Sequence, residues 1–545
     1  MSTVSLTHMR QTLGRLTYRS GIYNWTLGGA PHYSLTFKPV DPWPGDLDKG
    51  RALTRGVFEL HGQTLNAKGC FWEPLDKDPH WMDYLHKFEW MRDLRALGGD
   101  EARFACRAYI DEWLKYYYYW NEDAWDPART GRRLAMWLSL YDFYAESADE
   151  EFQDRLLESI LRQARHLYRI MPMSLHGIPA LESLMGLVYS GLALPDGERW
   201  LDYALKSMAE EASHQILSDG GHISRNPQTL LEAVMLLSDV RRAILGSGYA
   251  LPERIQHALD RTSAALRFFR MSDKGFCLFN GAQEGDSSLL DKVILQSGSK
   301  GKIPRSLYQS GYERISQGRT LLVVDTGKLP PHPDDRHAHV APGAFEMLVG
   351  RERVFVSCGS HPVDEKWQDM LRNTAAHNAL TIDHRNAVEL RKNGHLGRRP
   401  KKSESFREDL SDGSCLFTVS HDGYVPVNGL VHTRRLYVNA RGDDIRGEDT
   451  LTTKTGTLAR NAGVTLRFHL HPRVMVSLIK EGEEALLRLP NGHGWRFYHE
   501  GTSLTLENSV YLGDGIYPRK TKQLVLNCEM DEPSCVIQWA VQKEG

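Results

Sequence analysis

The residues best suited to chemistry are histidines in the second half of the chain. They fall in two runs, Arg336-His337-Ala338-His339-Val340-Ala341-Pro342-Gly343-Ala344-Phe345-Glu346-Met347 and Arg372-Asn373-Thr374-Ala375-Ala376-His377-Asn378. A strand-like stretch follows each, over residues 352–357 and 379–383. Side chains two apart on a strand share a face, so His337 and His339 are expected to point the same way, and a neighbouring strand can bring His377 to the same spot. Three converging imidazoles can bind a transition metal or move protons near neutral pH. The competing reading is that these are surface or hydrogen-bonded structural histidines, because His-x-His is a short and common pattern.

The elements that must position them change character along the chain. At 545 residues the chain is too long for one core, so two or more domains are expected. Up to about residue 297 the apolar residues follow helical periodicity. Phe152, Leu156, Leu157, Ile160, Leu161, Ala164, Leu167 and Tyr168 make one buried face of an amphipathic helix. Further helices are expected over 85–97, 101–119, 130–144, 181–194, 200–216, 229–245 and 252–270, joined by short Gly/Pro/Asp turns as in an array of helical hairpins. The run Ser-Gly-Ser-Lys-Gly-Lys-Ile-Pro at 297–304 interrupts this pattern. Short β-rich runs follow at 320–325, 353–357, 416–420, 435–439, 464–470, 486–489, 495–498, 523–527 and 535–541. Turn chemistry such as Arg441-Gly442-Asp443 separates them, which predicts an antiparallel β-sandwich. The expected organisation is a helical domain over 1–300, with an extended N-terminal segment, and an all-β domain over 301–545.

Composition bounds the function. A chain that is 41% hydrophobic and 25% charged, with net charge -2, is an ordinary soluble globular protein without the basic excess of a nucleic-acid binder or a polybasic membrane arm. The seven cysteines are scattered without a C-x-x-C pair, so neither a disulfide framework nor a zinc-thiolate site is signalled. Residues 1–27 carry Arg10, Arg15 and Arg19 but no continuous apolar stretch, and no apolar run is long enough to span a bilayer. As written, the chain is expected to stay in the cytoplasm.

The ordered set of motifs resembles the heparinase II/III-like family. It comprises His337-Ala338-His339, Gly343 to Met347, Val354 to Gly359 and Arg372 to Asn378. Upstream are Leu85 to Leu94 and Gln215 to Pro227, and downstream are His421 to Tyr424 and Arg467 to Pro472. The likeness runs over nearly the whole chain. It implies an incomplete (α/α) toroid followed by an antiparallel β-sandwich, and a carbon-oxygen lyase acting on an acidic, uronate-containing polysaccharide. Members of that family often act in the periplasm or cell envelope. The resemblance also implies a catalytic role for His337 and divalent-metal ligation by His339 and His377, with zinc as the candidate ion. An aspartate usual in that ligand set is replaced here by Ser357.

β-Elimination breaks the C4–O bond of a uronate after loss of the C5 proton. The enzyme must neutralise the carboxylate, remove the proton and protonate the leaving oxygen, and no cofactor is required. The family's usual tyrosine after the Asp-Gly turn is missing, because Gln228-Thr229-Leu230 follow Pro227, and Ser174 to Pro179 lack the usual asparagine. His222, Arg225 and Asn226 stand in the same loop. Arg225 or Asn226 can hold the carboxylate and His222 can serve as base; alternatively, Asn226-Pro227 caps the next helix and His222 bonds within its loop. Trp125 and Arg129 are further cleft candidates. Two rivals to the lyase are a diverged, non-catalytic polysaccharide-binding protein of the same fold and a glycoside hydrolase. The hydrolase needs a carboxylate pair, for which Glu182 and Glu232 are the candidates.

Overall fold

The computed structural model describes residues 14, 16–29, 34–67, 72, 78–171, 175–195, 197–298, 302–458 and 460–545. Ser174, Cys70 and residues 299–301 of the expected interdomain segment lie outside the described residues, as do most of residues 1–27 that bear on targeting. The chain divides into two compact units, one of residues 1–214 and 232–259, the other of 215–231 and 260–545.

The first unit is built of helices, chiefly Pro79–Lys87, Met91–Leu97, Gly99–Tyr117, Pro127–Ser139, Glu150–Ile170, Ile178–Ala193 and Glu198–Gln215. Their starts follow capping chemistry. Asp78, Asp126 and Asp149 each accept from backbone N–H groups of the first turn, and Pro79 and Pro127 occupy positions that need no N–H. Ile178–Ala193 is apolar nearly all round and buried along its length. It meets Pro127–Ser139 backbone to backbone. A Cβ on Gly131 would stand 2.3 Å from the Glu182 carbonyl oxygen, and one on Gly186 2.4 Å from Gly131. The single helix expected over 85–97 is two helices, because Phe88 takes a left-handed conformation (φ 61°). Its ring is buried against Trp72 and Trp90, at 5.6 and 5.0 Å between ring centres.

The second unit is built of three antiparallel sheets. An eight-stranded sheet runs in the order Met475–Ile479, Glu484–Arg488, Gly494–Glu500, Ser534–Lys543, Asp444–Thr453, Leu430–Val438, Cys415–His421, Ser403–Asp409. A four-stranded sheet orders Ser503–Tyr511, Arg519–Met530, Ala462–His469 and Leu380–Ile382. A five-stranded sheet orders Ser306–Leu307, Tyr312–Gln317, Thr320–Asp325, Phe345–Val349 and Glu352–Phe355. Alternate residues of all three sheets meet in one core that includes Phe345, Phe355, Phe468, Phe497 and Trp539. The expected strand at 320–325 is found residue for residue.

Secondary structure changes from mainly helix to mainly strand between Ser297 and Ser306, although a hairpin of Val57–Leu60 and Gln63–Asn66 comes before and helix Glu365–Leu371 after. The compact units are divided elsewhere. The end of helix Glu253–Phe269 packs with the sheets: Arg314 donates to the Phe268 carbonyl at 2.7 Å, and Phe269 meets Tyr312 edge to face at 5.0 Å. The 215–231 segment is likewise anchored to strand-region loops, through Asp219 and Arg225.

Candidate active site

Asn226 ends a tight loop. Its Oδ1 accepts from the N–H groups of Gln228 (2.7 Å) and Thr229 (3.3 Å), which caps helix Pro227–Ser247 and turns the amide NH2 away from that helix. The NH2 lies beside Gly281, whose φ of 90° suits glycine alone. A Cβ placed on Gly281 would stand 3.3 Å from Asn226 Nδ2 and 3.0 Å from His337 Cβ. An amide donor and an imidazole thus flank one bare backbone position. His337 reaches solvent but is closely enclosed by protein. That enclosure, then Arg372 and Arg336, holds its pKa below the usual histidine value, so the neutral, proton-accepting form is favoured.

His222 and Arg225 are committed to structure. His222 is buried; Nε2 meets Gln215 Oε1 at 3.0 Å, and Nδ1 accepts from the Ser224 N–H at 3.1 Å. Arg225, in the left-handed region at φ 61°, is 3% exposed. Its guanidinium donates to the carbonyls of Ser310 (2.6 Å), Gly311 (2.9 Å) and Lys328, pairs with Asp325 at 2.9 Å, and lies over the Tyr312 ring at 4.5 Å. Tyr312, also buried, donates to the Arg225 carbonyl at 2.8 Å. Of the three loop residues, only Asn226 keeps a side-chain donor facing His337's surroundings. A cavity of about 460 Å³ beside this loop is lined by Arg225, Lys328, Arg399 and Lys401, a basic surround.

His337 and His339 do not share a face. They lie in a turn between strands, where the period-two rule does not hold, and His339 is buried while His337 is exposed. His339 does meet His377, with ring centres 4.3 Å apart. The pair does not fit a metal as folded. Both ring nitrogens of His339 face backbone N–H groups, of Asn280 at 3.1 Å and Gly281 at 3.0 Å, so its one lone pair accepts a hydrogen bond. His377 is fully buried and its nitrogens make no well-formed hydrogen bond among the described residues, although the Leu371 backbone bears on its ring. Ser357 brings a hydroxyl where a hard or borderline cation would need a carboxylate. The group of His, Cys, Asp and Glu side chains that does converge among the described residues is His332, Asp335 and His395. There Asp335 already accepts from His395 Nδ1 (2.7 Å), the Leu396 N–H (3.2 Å) and Arg399.

In the helical unit, Trp125 and Arg129 are structural. Trp125 is buried and donates to the Tyr117 carbonyl at 2.9 Å, and Arg129 pairs with Asp83 at 2.7 Å. Glu182 is buried and accepts from Lys87 Nζ at 2.9 Å on both oxygens. Glu232 reaches solvent within a close protein surround. That enclosure and the Glu182 charge push its carboxyl up to about 7. Gly281 and Asn280 escaped the reading by motif, although Asn-Gly is itself a turn signal.

Two family signatures match the chain: Heparinase II/III N-terminus over residues 70–297, and Heparinase II/III-like, C-terminal over residues 299–540. The chain belongs to the heparinase II/III-like family. A solved heparinase III structure superposes with a TM-score of 0.73 at 12% identity, covering 98% of this chain and 91% of that one. A mutant of heparan sulfate lyase HepC from Pedobacter heparinus superposes at 0.65 and 15% identity, covering 100% and 91%. These likenesses place this heparinase II/III-like chain in the toroid-plus-sandwich fold. FtsZ-localized protein C of Caulobacter vibrioides is 29% identical over 538 residues, 93% of this chain and 90% of that protein.

Proposed function

We propose that this chain is a polysaccharide lyase that cleaves an acidic, uronate-containing polymer by β-elimination. One observation carries the reading: the Asn226 amide and the His337 imidazole flank Gly281 with no side chain between them. The Asn226 NH2 donates to the uronate carboxylate, and Arg336 beside His337 adds positive charge. Neutral His337 takes the C5 proton, the C4=C5 double bond forms and the C4–O bond breaks. With the family's tyrosine absent, the resulting imidazolium passes that proton to the leaving oxygen. A lowered pKa makes the imidazolium the stronger acid for that second step. The heparan sulfate lyase superposition and the basic cavity by Lys328, Arg399 and Lys401 support an acidic substrate.

A second reading, a non-catalytic polysaccharide-binding protein of the same fold, is favoured by the internal commitment of His222 and Arg225. Incubation with a panel of uronate polymers separates the readings. A lyase generates the ultraviolet absorbance of unsaturated uronyl ends; a polymer that is bound but yields no such absorbance sinks the elimination.

A further inference from the structure

The helical unit carries a second cavity, of about 1030 Å³, lined by residues of the N-terminal segment, of the loop after helix Gly99–Tyr117, and of helix Glu150–Ile170. Its walls are aromatic. Trp25 is 81% and Tyr119 62% exposed, and Tyr118 and Trp120 stand beside them. Solvent-facing aromatic surface on this scale is unusual without a ligand to cover it. Its polar wall is Arg162, which is 4% exposed. The Arg162 guanidinium lies 4.6 Å from the Tyr118 ring centre and 5.2 Å from that of Tyr119. Its Nε and Nη2 are sealed from solvent and find no hydrogen-bond partner among the described residues, so the guanidinium acts on the cavity through its charge. A buried guanidinium is costly unless an anion offsets its charge.

We propose that this cavity is a subsite for an acidic saccharide, with the Arg162 charge attracting the carboxylate and Trp25 and Tyr119 stacking on the pyranose. Three features select that ligand over a simple anion. The aromatic faces suit the C–H face of a sugar ring. Glu158 also lines the cavity and would repel a bare anion, whereas it accepts from sugar hydroxyls. The volume exceeds what an inorganic ion needs and lies in the range of organic-ligand sites. Arg19, Asn24, Trp25, Gly28 and Gly29 precede the family signature, which starts at residue 70. The subsite rests on the acidic-polysaccharide part of the proposed function and is independent of elimination.

The test is calorimetric titration of the full chain with an unsulfated hexuronate tetrasaccharide, in the His337→Ala background so that the probe is not consumed. We expect saturable binding that weakens about tenfold or more in Arg162→Met, the scale of losing a nearby opposite charge. Trp25→Ala should weaken it severalfold. Trp25 is exposed, so that variant stays informative even where Arg162→Met fails to fold. A neutral tetrasaccharide should not saturate. Wild-type-like binding in both variants overturns the subsite, as does displacement by sodium sulfate at equal concentration. Sedimentation with anionic phospholipid vesicles, lost in Trp25→Ala, in a protein that binds no tetrasaccharide, also overturns it. If the polymer panel yields no unsaturated ends yet Trp25→Ala abolishes tetrasaccharide binding, elimination falls and the subsite stands. If unsaturated ends form while tetrasaccharide binding is unchanged in both variants, the subsite falls and elimination stands.

Discussion

The His377 ring lies 4.3 Å, centre to centre, from the His339 ring, and no third His, Cys, Asp or Glu ligand atom among the described residues closes on the pair. His377 therefore sits in the core as a poorly paired polar group, a condition that costs up to about 1–3 kcal/mol. Replacing it with an apolar side chain of similar size should leave the thermal midpoint unchanged or raise it. We expect this of His377→Leu, together with no stoichiometric zinc by elemental analysis of untagged protein and no effect of chelator on melting. A large drop in the midpoint, with metal lost in the variant, would restore both histidines to a ligand set.

Arg225 holds Asp325 and three carbonyls, so its removal leaves a buried carboxylate without its cation. Breaking such a pair costs about 3–5 kcal/mol. Arg225→Met should unfold at far lower denaturant, and Arg225→Met with Asp325→Leu should recover part of the loss. An Arg225→Met protein of normal stability that fails only in substrate binding would mark the arginine as a substrate contact.

His337 is the residue whose loss should abolish turnover without harming the fold. His337→Ala should slow cleavage by about a hundredfold or more, the scale for losing a general acid or base, with melting unchanged. Because the His337 pKa is lowered, the acid limb of the rate profile should fall below pH 6.5, the ordinary histidine value. A limb above that value would assign the proton transfer to another group.

Acid should destabilise the sheet-containing unit early. His377 is held at about 3, and His469 and His471 at about 4, chiefly by burial. Between those values and about 6.5, the unfolded chain binds protons that the folded chain refuses. Stability is therefore full above about 6.5 and declines as pH falls, by at most ~1.4 kcal/mol per pH unit for each histidine. Glu346, raised to about 7 by burial, binds its proton first in the folded state and offsets one of the three. Denaturation at pH 7 and pH 5 checks the sign; equal or greater stability at pH 5 would refute it.

What can be read from residue order follows the physics that is local. The strand at 320–325 and the helical face from Phe152 to Leu167 are set by short-range periodicity, and both are found, with Tyr168 only half-buried. Phe88 is different. Its ring packs against Trp113 and Trp137, both distant in sequence, so the left-handed break it causes in the expected helix is invisible in the local pattern. Family motifs point to His337, while the arrangement around it has no local signal. His337 and His339 diverge because a turn, not a strand, carries them. Asn226 meets His337 only because Gly281, more than fifty residues away in the chain from either, brings a bare backbone between them. Arg225 resembles a substrate clamp in sequence because nothing local discloses that Asp325 consumes it.

The separate assignment of residues 215–231 to the sheet-containing unit means that the polypeptide passes from one unit to the other three times. Neither half is a module that recombination can lift out with a single crossover. A gene fragment beginning near residue 300 would leave behind Asp219 and Arg225, the anchors of its own loops, along with Asn226. Helix and sheet portions of such a chain must therefore be inherited together. Chimeras that exchange helices between relatives need two exchange points within the helical stretch, flanking the 215–231 loop.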